Sequence, residues 1–380
     1  MSNSIPIVKK WVSHRLNPDV QRSLNRMSQA PDVQYLAIMP DVHLATDVCI
    51  GTVLATKSIV YPAAVGGDIG CGILAIELLV DHHRFADERA AVELLAELYR
   101  VIPRNRHQTE TMPTQIDNEL LDWKLSDARL EKMKHRDARV QLGTLGRGNH
   151  FLEFQSDVDG KLWLMIHSGS RSMGQWITAH HLAIASGEPK RKLIGLDSTN
   201  PSGQAYLKDM QWARKYAELN RLAMMNATLE MLFLNWGIEP NRHSLVHTDH
   251  NHVARETHFG NEWLVHRKGA QRLDVDQRGI VPGSMGTCSF LVAGRGCPES
   301  LNSCSHGAGR QLSRTEARRR VSMRRFVSQM KQVRFDQRNA NRLRDEAPEA
   351  YKDVREVMRC QRELVRVVAE HVPVLSFKGR

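Results

Sequence analysis

The chain has 380 residues, 41% hydrophobic and 25% charged, a soluble globular balance with enough length for one large domain or two ordinary ones. No apolar run reaches the roughly 18 to 20 residues of a membrane span, and the first residues show no apolar signal region, so neither a membrane nor a secreted protein is expected. The net charge of +11 favours a polyanionic partner, nucleic acid first, and six cysteines without paired spacing favour a reducing, cytoplasmic setting.

In chain order, residues 35–39, 51–56 and 72–78 are short apolar runs bounded by Pro, Asp or Gly, and read as strands. Ala90, Leu94, Leu95 and Leu98 recur at helical spacing and predict a helix over 85–101, stopped by Pro103. Residues 104–140 are polar and charged, and read as an exposed, mostly helical excursion. Strands resume at 151–154 and 162–166. The longest helix is expected over 204–236, with Tyr206, Met210, Ala213, Ala217, Met224 and Met231 as its core stripe. Further strands fall at 263–266 and 288–292. A basic segment at 314–325 and a helix near 351–371 follow. Strands and helices lack a regular βαβ alternation, so the expected fold is α+β. It is expected to be one domain over 1–380, with central sheets, outer helices and a cleft lined by loops at strand ends. With no GxGxxG or Walker P-loop, any nucleotide site must be built differently.

The chemistry gathers in a few small-residue runs. In Gly66-Gly67-Asp68-Ile69-Gly70-Cys71-Gly72, four glycines surround one acid and one thiol. Asp68 and Cys71 can turn toward one point, a pairing that suits a borderline cation such as Mn²⁺ or Zn²⁺, and a thiolate can bridge two ions. In Ser303-Cys304-Ser305-His306-Gly307-Ala308-Gly309-Arg310, His306 is set among residues too small to block a bulky ligand. Gly148-Asn149-His150, Ile166-His167-Ser168 and Asp249-His250-Asn251-His252 place further imidazoles beside small or polar residues. Singly, each reads as a loop histidine. Together with Asp68 and Cys71 they point to a metal site. Arg318-Arg319-Arg320 reads as a solvated helix face or as a phosphate track.

These motifs also carry a resemblance. Met39-Pro40-Asp41-Val42-His43, the 66–72 run, Leu142-Gly143-Thr144-Leu145-Gly146-Arg147-Gly148-Asn149-His150-Phe151, His167-Ser168-Gly169-Ser170-Arg171, Pro282-Gly283-Ser284-Met285-Gly286 and the 305–310 run resemble, in order, those of the RtcB family of RNA ligases. Arg267-Lys268-Gly269-Ala270 and Lys378-Gly379 fit as well. The resemblance implies an enzyme joining RNA 3′-phosphate or 2′,3′-cyclic phosphate ends to 5′-hydroxyl ends. It implies GTP, two Mn²⁺, a covalent histidine–GMP and an RNA-ppG intermediate, in RNA repair or tRNA splicing.

By the same resemblance, Asp68, Cys71 and His150 match the ligands of one Mn²⁺, and Cys71, His167 and His250 those of the other. His306 matches the nucleophile, and Asp41 an acid expected to orient it. The nucleotide-binding set is Asn149, His150, Phe151, Leu152, Glu153, His250, Asn251, Pro282, Gly283, Ser284, Met285, Ser289, His306, Gly307, Ala308, Gly309 and Lys378. Glu153 is expected to read the guanine N1 and N2 donors; otherwise it is a strand-edge surface acid. The implied partners are broken tRNA or rRNA ends, with an archease-like activator or a release-factor-like protein.

Departures from the family pattern suggest a divergent bacterial-type branch. Arg147 interrupts a glycine run, Gly67 stands where Val is frequent, and Leu44-Ala45-Thr46-Asp47-Val48-Cys49 is poor in glycine. RNA is expected to enter over a basic surface supplied in part by Arg147, Arg171, Arg310 and Arg314. A two-metal phosphoesterase or nuclease, and a non-catalytic RNA-binding protein, are the alternatives.

Overall fold

In the computed structural model, which describes residues 5–13, 15–45, 48–85, 87–108, 118–185 and 193–379, two sheets carry most of the strands. One has five strands in the order Ile7–Lys10, Val33–His43, Ile50–Thr56, Asn261–Lys268, Asn251–His258. The other runs Arg278–Val281, Ser289–Gly294, Val365–Phe377, Phe151–Ser156, Lys161–Ser168, Gly72–Asp81, Pro240–Asp249, with Arg334–Phe335 beside the third strand. Gly72–Asp81 and Lys161–Ser168 are buried along most of their length on both faces, which is why they read as continuous apolar runs. The mixed helix and strand content is the expected α+β class.

The expected 204–236 helix is present as Pro201–Trp236, 36 residues long, and its stripe from Tyr206 to Met231 is buried. Pro201 suits the first turn because its missing N–H has no helical partner there. Gly237 ends the helix at φ 64, a conformation that costs a glycine nothing. Glu88–Val101 is capped by the Asp87 carboxylate, which accepts from the N–H groups of Arg89 and Ala90. Ala90, Leu94, Leu95 and Leu98 pack in the largest apolar cluster, with Leu152, Phe154 and Met224.

Two expectations are corrected. Only Val354–Cys360 of the expected 351–371 helix is helical, and from Val365 the chain forms a 13-residue strand, Val365–Phe377. Valines at 365, 367, 368, 372 and 374 favour the pleated state, and Pro373 excludes a helix interior. This strand pairs with Ser289–Gly294 on one side and Phe151–Ser156 on the other.

The 104–140 excursion is helical at Asn118–Asp122 and Ala128–Met133, but it is not peeled away from the core. Leu120, Leu125, Leu130 and Ala138 pack against Tyr206, Trp212 and Tyr216. Lys134 is buried, and its ammonium donates to the carbonyls of Leu121 and Trp123. Residues 109–117, and Thr46 and Asp47 in the glycine-poor run, lie outside the described residues. No helix among the described residues is long and apolar enough to cross a membrane.

Candidate active site and metal centre

Strand register builds the centre. Gly72 lies opposite Ser168 on one side and Asp249 on the other, and Phe151 lies opposite His167. Cys71, His150, His167 and His250 therefore come to the same end of four adjacent strands. The His250 N–H donates to the Cys71 carbonyl at 2.8 Å, which locks two of these ends together.

Two donor sets result. Asp68, Cys71 and His150 offer atoms within 4.8 Å of one another, and so do Cys71, His167 and His250. Cys71 belongs to both, as the resemblance implied. Its Sγ lies 3.2 Å from His167 Nε2 and 3.5 Å from His150 Nε2, while His150 Nε2 lies 2.8 Å from Asp68 Oδ2. His150 Nδ1 faces the Leu145 carbonyl at 3.1 Å; donating there, it leaves a lone pair on Nε2. Once Cys71 gives up its proton, an imidazole lone pair, a thiolate and a carboxylate converge on one point as acceptors. A divalent cation satisfies all three, so the donor chemistry fits the implied metals.

The electrostatics agree. Burial, and then the Asp68 carboxylate, push the Cys71 thiol well above its usual range, so the thiolate needs a cation beside it. Burial drives His167 and His250 well below the usual imidazole range, aided by other imidazoles nearby, which keeps their lone pairs available. Burial opposes charge on Asp68, but before a cation binds the His150 and Cys71 protons directed at it outweigh burial and hold the carboxyl down to about 2.

Asp41 and His306 reach the centre from elsewhere. Asp41 lies in Val33–His43, and His306 follows the short strand Ser303–Ser305, which pairs with Ala270–Arg272. His306 Nδ1 lies 2.7 Å from Asp41 Oδ2, and the His306 ring is 4.8 Å from that of His250. With the Nδ1 proton given to Asp41, the lone pair of His306 sits on Nε2. Gly309, at φ 72, lets the loop after His306 turn against Asp41; a Cβ there would collide with the Asp41 carbonyl oxygen.

A cavity of about 1030 Å³ opens at His306. Asn149, Phe151, Glu153, Pro282, Gly283, Ser284, Met285, Gly307, Ala308, Gly309 and Lys378 line it. Five members of the expected nucleotide set do not. Leu152 alternates with its neighbours and turns into the apolar core. Ser289 is buried behind the wall, where the Gln155 amide donates to it. The Asn251 amide donates to the Asp68 carbonyl, and its Oδ1 accepts from the Gly269 N–H, so Asn251 holds two loops of the centre in place. His150 and His250 belong with the donor sets.

Glu153 is buried rather than a surface acid. Burial raises its carboxyl to about 7 against the pull of Lys378, Ser376 and Gln155.

The expected basic surface is corrected in part. Arg147 is exposed between Gly146 and Gly148. Arg171, by contrast, packs on Gly146 and donates to Thr144 Oγ1 at 3.1 Å, so it braces the 143–150 loop. Arg310 and Arg314 both pair with the fully buried Glu346.

Sequence reasoning missed Glu346, which also accepts from Tyr351 at 2.7 Å and Lys378 at 2.9 Å. Two consecutive acids, Asp345 and Glu346, closing a basic stretch were the available signal. It also missed the fully buried Arg221, whose guanidinium donates to the carbonyls of Gly70 and Ser168 at 2.8 Å. A second cavity, of about 910 Å³, lies behind Asp249, and the charges at its rim pair with one another, Arg214 with Asp249 and Arg272 with Asp274.

Comparison with known proteins shows the family. Residues 23–379 match the family described as tRNA-splicing ligase RtcB. The chain is 35% identical to the RNA-splicing ligase RtcB of Escherichia coli strain K12, over 98% of this chain and 97% of that protein. It is 31% identical to the RNA-splicing ligase RtcB of Mycobacterium tuberculosis, over 90% and 96%. It is 27% identical to the tRNA-splicing ligase RtcB of Aeropyrum pernix, over 91% and 88%.

Proposed function

The chain belongs to the RtcB family, and from that premise we propose that it is a GTP-dependent RNA ligase. Its substrates are RNA ends bearing a 3′-phosphate or 2′,3′-cyclic phosphate and ends bearing a 5′-hydroxyl, in RNA repair or tRNA splicing. What supports the reading most directly is one geometry. His306, its Nδ1 engaged by Asp41, stands beside a donor set suited to two cations and at the head of a cavity large enough for a nucleotide.

In this reading His306 Nε2 attacks the α-phosphorus of GTP and pyrophosphate leaves, because a neutral imidazole is a competent nucleophile toward phosphorus. Asp41 holds the Nδ1 proton and stabilises the imidazolium character that develops. Water first opens a 2′,3′-cyclic phosphate to the 3′-phosphate and 2′-hydroxyl; the RNA 3′-phosphate then takes GMP from His306, and the 5′-hydroxyl displaces GMP from the activated end. Two Mn²⁺, held by Asp68, Cys71, His150, His167 and His250, would neutralise phosphate charge and stabilise entering and leaving oxygens. The N–H groups around Gly307 and Gly309 can approach phosphate because no side chain intervenes. Glu153, as carboxylate, accepts from guanine N1 and N2, and Lys378 completes that end of the cavity.

The cytoplasm suits a centre that depends on a reduced Cys71. An archease-like or release-factor-like partner would act by raising turnover rather than by supplying a ligand.

The test is incubation with labelled GTP and Mn²⁺. A protein–GMP adduct that His306→Ala abolishes, followed by joining of defined RNA ends, is expected. Phosphate release without any adduct would favour a two-metal phosphoesterase instead.

A further inference from the structure

The positive charge of this chain is concentrated. Between residues 310 and 344 there are twelve Arg or Lys and two acids, an excess of ten in a chain whose whole excess is eleven. The segment starts at the lip of the cavity, where Gln311, Arg314 and Glu316 line the wall. It then forms two short helices, Arg314–Arg320 and Met323–Gln329, capped by Ser313 and Ser322. Ala317, Val321, Phe326 and Met330 fix their undersides in an apolar cluster that also contains Met285 of the cavity wall.

The cations divide by direction. Arg314 and Arg318 turn inward to the buried Asp345, at 3.1 Å each. Arg319, Arg324 and Lys331 are exposed and make no ion pair among the described residues. Packing explains the inner pair and not the outer three. Gathering like charges on a rigid surface costs free energy through self-repulsion, which a bound polyanion removes.

We propose that this segment is a phosphate-binding platform that grips the RNA backbone beyond the ends being joined. The strand leaving the cavity runs outward over Arg319, Arg324 and Lys331. The proposal rests on the ligase reading above. Three observations favour RNA over an acidic protein or an anionic membrane. Eleven of the twelve cations are arginines, whose planar fork matches phosphate oxygens. The platform is continuous with the cavity wall. At 1.5 Å of rise per residue, Arg320 stands only about 9 Å along its helix from Arg314 at the lip. Such contacts read no sequence, which suits an enzyme that must accept many broken ends.

The test compares the unaltered chain with Arg319→Gln/Arg324→Gln/Lys331→Gln, binding a 3′-phosphorylated single-stranded RNA without GTP across a salt series. At roughly 0.7 per phosphate contact in single-stranded RNA, the slope of log affinity against log salt should fall by about 2, with at least a tenfold loss of affinity at low salt. Guanylylation with GTP and Mn²⁺ alone should be unchanged, since none of the three residues lines the cavity. Unchanged affinity and slope would overturn the platform. So would retained RNA binding with lost binding to polyglutamate or phosphatidylserine vesicles, which would assign the patch to an acidic protein or a membrane. If the unaltered chain forms no GMP adduct, the ligase reading fails, while the salt slope still decides the platform.

Discussion

Lys378 Nζ donates to Glu346 Oε2 at 2.9 Å, and both residues are buried. Glu346 also pairs with Arg310 and Arg314, so one carboxylate is shared by three cations beside the cavity. Removing one partner of a buried pair leaves the other charge uncompensated, at a cost of about 3 to 5 kcal/mol. Glu346→Gln should therefore destabilise the fold by that amount in urea unfolding. Lys378→Ala should leave the carboxylate two partners, cost less, and weaken GTP binding. Equal stability of Glu346→Gln and the parent would remove Glu346 from this role.

Asp41 should matter to rate rather than to folding alone. A hydrogen bond to a charged group contributes about 1.5 to 3 kcal/mol, so Asp41→Asn should slow guanylylation roughly 10- to 100-fold. A parental rate of single-turnover adduct formation in this variant would remove Asp41 from the role of orienting His306.

Cation binding should release a proton. Burial and Asp68 hold the Cys71 thiol protonated near neutral pH, while His167 and His250 are already neutral. Loading Mn²⁺ should expel about one proton per chain, taken from Cys71. Calorimetry in buffers of different ionisation enthalpy reads it directly. Cys71→Ala should lose the proton release and bind fewer metal ions; release that survives in this variant would point to another ligand.

Glu153 should impose a pH dependence. Its carboxyl lies at about 7 in the fold against 4.5 ordinarily. Below pH 4.5 the group is neutral in both folded and unfolded chains, and its burial carries no charge penalty. The penalty grows as pH rises through this window and levels off above 7, at about 3 kcal/mol. Glu153→Gln should therefore gain roughly 2 kcal/mol relative to the parent between pH 5.5 and 8. The same variant should lose discrimination between GTP and ATP. A constant stability difference across that range would show that Glu153 does not titrate there.

Legibility followed the range of the interactions involved. The Asp68, Cys71 and His306 runs were readable because small residues and ligand types lie adjacent in sequence. Helices such as Glu88–Val101 announced themselves by local spacing and caps. The strand Val365–Phe377 did not, because its partners Ser289–Gly294 and Phe151–Ser156 are remote in the chain and charged residues break its apolar pattern. The strands Pro240–Asp249 and Asn251–His258 were likewise hidden by histidines and other polar residues. Arg310 and Arg314 looked free because their partner Glu346 is visible only in space. Leu152 and Phe151 share a motif, and only the alternation of the strand sends one to the core and the other to the cavity.

The position of Val365–Phe377 has a consequence for biosynthesis. It is inserted between strands synthesised far earlier, and it delivers Lys378 and Gly379 to the site, Gly379 packing on Gly146 beside the loop that carries His150. While the ribosome is still short of this segment, the nascent chain holds its larger sheet open in the middle, with Phe151–Ser156 and Ser289–Gly294 as bare edges. Such edges bind chaperones or other chains readily. A message truncated before this point would yield a protein with all five cation ligands and its nucleophile encoded, yet with no closed cleft to hold them. Closure of the cleft thus waits on this one strand.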